Sequence, residues 1–397
     1  MCNILFSEVI NAKIAYTSLA YGPCSAFGRG KKKTTEPEPM SQAGDMLLFD
    51  FGAEPEYGWI QVSEETKYNK YTGYGFSMIS FVENAATPAA GGVVSDAVKV
   101  NYRYRDRTEF MVDLPEGIYE IAVYTGEIKY MDISLEGHDV LFNINDSCTE
   151  ARMEIPVTDG TLNMRLLPGI SGTELAVSAV TVTRKSGLSE RRRRVFICGD
   201  SIAATSYPLL LSPPYDEKCP GGWGQMLSSY LPEDVYVHNI SSAGFSTSSF
   251  LENDTISDRL HFAKEGDIVI IALGINDRKA MTAEEYKENL IELTNRVRAC
   301  GCVPVLSSDA TRLSEYHGNS YIDLCYGAQT KAVARKLDAK YIDLHKAHSD
   351  KLCDIGYKNT PSFFLHLWNG SLDLTHPNRA GADLIAELVA DRILDLF

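Results

Sequence analysis

The chain has 397 residues, 44% hydrophobic and 23% charged, so it is long enough for two domains with sizeable cores. Its formal net charge of -15 argues against nucleic acid and against an anionic membrane surface as partners, because both demand a basic face. No apolar run reaches the length of a transmembrane helix.

Residues 1–28 are mildly apolar, but Glu8 and Lys13 interrupt what would be the apolar stretch of a signal peptide, and no basic region leads it. Arg29-Gly-Lys-Lys-Lys33 follows, then a segment to Ala43 rich in Pro, Glu and Ser. We therefore expect residues 1–45 to form a disordered leader and order to begin near Met46. The nine cysteines are odd in number and lack a disulfide-like spacing. Cys198 and Cys302 lie in or beside apolar strand-like runs, which suits buried, reduced thiols and a cytoplasmic location. Cys300-Gly-Cys302 is the one close pair, and no partners at zinc-like spacing accompany it. Neither a metal nor a cofactor is expected.

Between residues 46 and 184 the pattern is short strands punctuated by turns. Leu47-Leu-Phe-Asp-Phe51 runs into Gly52, residues 98–104 alternate apolar and polar, and residues 118–124 lie between Pro115-Glu-Gly117 and Gly126. Two further runs, 161–167 and 176–183, complete a series that predicts an antiparallel β-sandwich. The residues Phe49-Asp-Phe-Gly52, Gly58-Trp59, Tyr74-Gly-Phe76, Val112-Asp-Leu-Pro-Glu-Gly-Ile-Tyr119 and Asp159-Gly-Thr-Leu162 resemble the galactose-binding-like jelly-roll domains that accompany many carbohydrate-active enzymes. Trp59, Tyr68, Tyr71 and Tyr74 are candidates for stacking on a sugar. The competing and favoured expectation is that they fill the sandwich or its contact with the next domain.

Residues 185–194 turn polar and end in Arg191-Arg-Arg-Arg194, which reads as a solvated linker. From 195 to 397 the period changes. Apolar runs at 195–198, 235–240, 268–273, 303–306 and 341–344 alternate with amphipathic helical patterns. The clearest helix spans 282–300, where Thr282 and Glu285 make a capping box and Tyr286, Leu290, Leu293 and Val297 form the stripe. The last follows Pro377. Strand and helix in alternation predict a doubly wound, three-layer α/β/α fold with a five-stranded parallel sheet.

Four polar segments follow or accompany those strands. Val195-Phe-Ile-Cys-Gly199-Asp200-Ser201 ends a buried strand in a turn that presents a serine at the carboxyl edge. Gly244-Phe245-Ser246, Gly274-Ile275-Asn276-Asp277 and Asp373-Leu-Thr-His376-Pro377 follow in order. A nucleophile, a base, an orienter for the base and oxyanion donors are what acyl transfer needs. Together these blocks resemble the SGNH (GDSL-type) hydrolases, and Gly222-Trp223-Gly224 is similar to an element of their rhamnogalacturonan acetylesterase-like branch.

That resemblance implies Ser201 as nucleophile, His376 as base and Asp373 as its orienter, with an oxyanion hole from the N–H groups of Ser201 and Gly244 and the Asn276 amide. It leaves Trp223, Phe245 and Asp200 as candidate substrate contacts, although Asp200 and Asp277 also suit loop bracing. Asp309 is a minor candidate for the site wall, and His345 is expected to be structural. The branch usually carries Gly-Arg-Ser and Gly-His-Asn-Asp, so Phe245 and Ile275 depart from it. Loss of that arginine opens neutral glycans such as mannan or xylan beside pectin. The implied activity is removal of acetyl groups from an acetylated oligosaccharide or polysaccharide. A lipase or thioesterase, or a glycan-binding protein without turnover, is the alternative.

Overall fold

The computed structural model describes residues 46–397 apart from single positions and short segments, the longest being 86–93, 101–107, 126–130, 145–149, 169–175, 186–192 and 207–219. The expected leader, 1–45, lies outside the described residues.

The first half of the described chain is all β. Its strands are β1 (Met46–Phe51), β2 (Ile60–Val62), β3 (Tyr74–Phe76), β4 (Val82–Ala85), β5 (Ala97–Val100) and β6 (Glu109–Asp113). They continue with β7 (Gly117–Thr125), β8 (Met131–Leu135), β9 (Asp139–Ile144), β10 (Glu150–Val157), β11 (Thr161–Pro168) and β12 (Ala176–Lys185). One sheet runs β10-β7-β12-β1-β2, with β5 also on β12 and β4 on β5; the other runs β3-β6-β11-β8-β9. The two pack face to face. Alternate residues of each strand meet between them, so Phe49 and Phe51 of β1, Phe76 of β3 and Phe110 of β6 are fully buried. Apolar alternation made β1, β7, β11 and β12 visible in sequence. β8 to β10 went unread although β8 and β10 alternate cleanly, with Met131, Ile133 and Leu135 in the first and Ala151, Met153, Ile155 and Val157 in the second; β9 carries the unbroken apolar run Val140-Leu-Phe142 instead.

The second half builds the α/β layer. Its elements are β13 (Arg193–Gly199), α1 (Trp223–Met226), β14 (Val235–Asn239), α2 (Thr247–Leu251), α3 (Thr255–Arg259), β15 (Ile268–Ala272), α4 (Asp277–Ala280), α5 (Ala283–Ala299) and β16 (Val303–Ser307). A small hairpin of β17 (Tyr316–His317) and β18 (Ser320–Tyr321) follows, then α6 (Gly327–Leu337), β19 (Lys340–Ile342) and α7 (Leu344–Ile355). The chain closes with β20 (Phe364–His366), β21 (Leu372–Pro377) and α8 (Arg379–Ala390). The main sheet is wholly parallel, in order β14-β13-β15-β16-β19. One apolar cluster packs on each face, centred on Ile197, Ile270 and Val305 on one side and Phe196, Val269 and Leu306 on the other. Continuous apolar strands are required because both faces are covered.

In chain order the strands run second, first, third, fourth, fifth. The order therefore reverses between β13 and β15, and in open α/β sheets the crevice at that switch point is where ligands bind. α5 is capped as the sequence predicts: Thr282 Oγ1 accepts from the Glu285 N–H at 3.3 Å and Glu285 accepts from the Thr282 N–H at 2.7 Å.

The polar stretch before β13 differs from expectation. Arg193 and Arg194 belong to the strand, and the Arg194 guanidinium is wholly buried. Its Nε and Nη2 donate to Asp267 Oδ2 at 3.1 and 2.9 Å, and it lies over the Phe196 ring. A run of arginines looks solvated in sequence because its partner is 73 positions away. The second departure is Tyr236 of β14, which joins the sandwich's own apolar cluster, while β9 lies against β14 and α1.

Candidate active site

Ser201, Gly244 and Asn276 follow β13, β14 and β15, the three strands at the switch point, and β21 brings Asp373 and His376 to them. Ser201 Oγ stands 2.9 Å from His376 Nε2, and His376 Nδ1 stands 2.9 Å from Asp373 Oδ2. The other Asp373 oxygen accepts the backbone N–H groups of Thr375 at 2.8 Å and His376 at 3.0 Å. Burial works against the Asp373 charge, but the His376 and backbone hydrogen bonds outweigh it and hold the carboxyl below its ordinary range. An ionised Asp373 fixes the imidazole with Nδ1 protonated, which leaves Nε2 free to accept from the serine hydroxyl.

The segment holding Asp373 and His376 reads as a loop in sequence. It is a strand paired antiparallel with β20, with a register shift between Phe364 and His366. Asn378 then caps α8 by accepting the Gly381 N–H at 2.9 Å, while its amide donates to Ser362 and Phe364 carbonyls. This anchorage went unread because Asn-Arg after Pro looks like ordinary helix-start chemistry.

Gly244 has φ +82°, where a side chain is strained, and a Cβ there would meet open space. Asn276 Nδ2 donates one hydrogen to the Phe245 carbonyl at 2.9 Å, which fixes the amide and leaves its second hydrogen available. Among the described residues, no hydrogen bond engages the backbone N–H of Ser201 or Gly244.

The three candidate substrate contacts fare differently. Trp223 is 1% exposed and sits in the apolar cluster, its N–H donating to the Ile202 carbonyl at 3.0 Å; a substrate cannot reach it. Its flanking glycines explain the motif instead, because a Cβ on Gly222 or Gly224 would overlap the Ala203 and Ala204 backbone or the Asn239 amide. Gly-Trp-Gly is thus a buttress behind the nucleophile turn. Asp200 is 2% exposed and its Oδ1 accepts the Ile202 N–H at 2.9 Å, so it too braces the turn. Phe245 is half-buried, edge-on to Phe250 at 5.2 Å with Arg259 over its ring.

Sequence reasoning missed the polar struts beneath the turn. Gln225 Oε1 accepts the N–H groups of Gly222 and Ser206, and Asn239 Nδ2 donates to the Ala203 carbonyl at 2.8 Å. Ser241 Oγ donates to Ile197 O at 3.0 Å. Asn239 carried a readable signal, an amide at the end of a strand that opens on Val235-Tyr-Val237. Asp277 accepts both the N–H and the hydroxyl of Thr247, tying the third block to α2.

Away from the triad, His345 pairs with Glu315 at 3.2 Å, as expected of a structural histidine. Glu315, Asp323 and His345 lie within 4.8 Å of one another. The Glu315 carboxylate is already taken by the Arg312 guanidinium and by the N–H groups of Arg312 and Leu324, so the cluster is an ion-pair knot. Cys300 and Cys302 are free thiols, and burial pushes Cys302 up to about 12. Of the four sandwich aromatics, Tyr68 donates to Asp113, Tyr74 packs on Phe49, and Trp59 is half-buried against Ala122 and Tyr124. Tyr71 alone of the four stands out into solvent.

A three-layer α/β/α domain with a serine, histidine and aspartate in hydrogen-bonded series at the sheet's switch point defines an ester hydrolase of the SGNH kind. Residues 197–384 match the GDSL-like lipase/acylhydrolase family, and residues 47–183 match the galactose-binding domain-like part of the beta-agarase/YXIM esterase-like proteins. The chain is 32% identical over 354 residues to the uncharacterized esterase YxiM of Bacillus subtilis, a match covering 87% of this chain and 90% of that one. The crystal structure of YxiM superposes with a TM-score of 0.55 at 30% identity, over 88% of this chain and 98% of the other. The rhamnogalacturonan acetylesterase RhgT of Bacillus subtilis is 29% identical over 219 residues, 51% of this chain and 90% of its own. The chain belongs to the GDSL-like esterases, with a galactose-binding-like domain ahead of the hydrolase domain.

Proposed function

We propose that this esterase is a carbohydrate O-acetylesterase that removes acetyl groups from a plant cell-wall oligosaccharide or polysaccharide through an acyl-serine intermediate. The observation that carries the mechanism is the series Ser201–His376–Asp373, with both links at 2.9 Å. Ser201 Oγ attacks the acetyl carbonyl carbon as His376 Nε2 takes its proton. Asp373 holds the imidazole and stabilises the imidazolium. The carbonyl oxygen becomes an oxyanion facing the N–H groups of Ser201 and Gly244 and the free hydrogen of the Asn276 amide. Collapse breaks the bond to the sugar oxygen, which receives the proton from His376. Water then attacks the acetyl-serine as His376 takes its proton; collapse breaks the bond to Ser201 Oγ, which receives that proton from His376, and acetate leaves.

The relative named a rhamnogalacturonan acetylesterase supports the carbohydrate reading. Phe245 stands where that branch usually has arginine, and its ring turns to Phe250, which favours including neutral acetylated glycans among the substrates. The test is acetate release across acetylated rhamnogalacturonan, xylan and mannan, each beside a Ser201→Ala control. Turnover of at least one glycan, absent in the control, is expected. Activity on p-nitrophenyl acetate with no acetate from any glycan would remove the carbohydrate assignment and keep the esterase.

A further inference from the structure

Behind the nucleophile turn the sheet ends in carboxyls. Asp200 follows β13, Asp277 begins α4 after β15, and Asp309 follows β16, so three neighbouring strands each deliver one. All three are at least nine-tenths buried. Oδ2 of Asp200 and Oδ2 of Asp277 have no hydrogen-bond partner among the described residues. Asp309 lies directly against the third block, because a Cβ on Gly274 would overlap its Oδ2. That position therefore excludes any residue but glycine while Asp309 stays where it is.

Few positive charges face this group. Arg312 faces Asp309 from its own loop, but its guanidinium donates to Glu315 at 2.7 and 3.2 Å. Lys279 and His376 act on Asp200 from α4 and β21. The remaining groups around Asp309 are Asp200, Asp277 and Asp323, with Tyr286 of α5, Tyr341 of β19 and Cys325, all three neutral near pH 7. Three adjacent buried carboxylates without a dedicated cation cannot all stay ionised.

We propose that Asp309 is a positioning residue of the esterase site, a neutral carboxylic acid that stays protonated beside the Asp200 carboxylate and so limits the negative charge behind Ser201 and the oxyanion donors. It acts through Asp200 and through the Gly274–Asn276 turn, and touches no substrate. The proposal rests on the esterase mechanism above for its functional meaning only. Burial first, then the Asp200 charge, push Asp309 well above the ordinary carboxyl range, and burial pushes Asp200 up to about 6, so Asp200 ionises first. Were Asp309 to ionise as well, a second charge would oppose the oxyanion forming nearby.

The sign of the linkage gives the test. In the unfolded chain Asp309 ionises near its ordinary value of about 3.9, whereas the folded protein keeps it protonated; folding is therefore penalised increasingly as pH rises above that value. Asp309→Asn removes the penalty. Melting temperatures of the full chain are measured from pH 4 to 8.5 for the wild type, Asp309→Asn, Asp200→Asn and the double variant. Asp309→Asn is expected to match the wild type at pH 4 and to exceed it by about 3 °C or more at pH 8. In the Asp200→Asn background that gain shrinks, because the charge that holds the proton on Asp309 is gone. On p-nitrophenyl acetate, the ratio of Asp309→Asn to wild-type kcat/KM stays level or rises from pH 7 to 9. A variant less stable than wild type at pH 8, a difference independent of pH, a gain unaltered by Asp200→Asn, or a ratio that falls with pH would each overturn the proposal. The melting series needs no turnover, so failure of the esterase assignment would leave it interpretable.

Discussion

In the sandwich, the rings of Phe49, Phe51, Phe76 and Phe110 meet with centroids 4.9 to 5.8 Å apart, whereas behind Ser201 the hydrolase sheet ends in Asp200, Asp277 and Asp309. Both regions are equally dry. The first is held by what it removes from water, and edge-to-face ring pairs add to that. The second keeps groups that water would have solvated better, and it is the part that positions the nucleophile. Stability and chemistry are thus assigned to different interiors of one chain, and variants can separate them.

The largest separation is expected at Ser201. Ser201→Ala should lower kcat on p-nitrophenyl acetate by about 10⁴-fold or more while the melting temperature holds, because a half-buried hydroxyl at the sheet edge contributes little packing. A large loss of activity accompanied by unfolding would instead merge the two interiors. Phe110→Ala should do the converse. It removes a fully buried ring with three aromatic partners, and about 3–5 kcal/mol of unfolding free energy should disappear in urea titrations. Its kcat at 25 °C should stay within twofold of wild type; a tenfold fall would show that the sandwich core reaches the site through β9, β14 and Tyr236.

Asn276→Ala sits next in size. Losing one oxyanion donor should lower kcat by about 100- to 1000-fold with KM little changed. The same substitution breaks the bond to the Phe245 carbonyl, so a KM that rises in step with the fall in kcat would point to a displaced 244–246 turn rather than a lost donor.

The two interiors also differed in how far sequence exposed them. Ring and β-branched alternation made β1, β7, β11 and β12 readable, since period two needs only local information. The order of the chemical blocks made Ser201, His376 and Asp373 readable for a different reason, that each follows or precedes a recognisable element. What stayed hidden was long-range pairing of polar groups. Arg194 looked solvated because Asp267 is far along the chain, and Trp223 looked like a sugar contact because nothing local says that Gly222 and Gly224 press it under Ala203. The strand character of the Asp373–His376 segment was hidden likewise, because its partner β20 is short and the pairing shifts register.

Asp200 sharpens the contrast with a smaller effect, and it places two opposite linkages in one site. The hydrogen bonds from His376 and the backbone hold Asp373 below its ordinary range, so its contribution to stability is present above the unfolded value and lost as pH falls through the folded one. Asp200 runs the other way. Burial raises it to about 6, so the folded state keeps a proton that the unfolded chain releases near 3.9, and stability declines between those two pH values and then levels. Asp200→Asn should therefore stabilise the protein at pH 7 by about 2–3 kcal/mol, with the gain fading below pH 4. It should also slow the enzyme, because the imidazolium formed on His376 loses a facing carboxylate. Urea unfolding at pH 4 and 7, beside kcat at pH 7, reads both. A variant that is destabilised at pH 7 would mean that the Ile202 N–H bond contributes more than the burial of the charge costs.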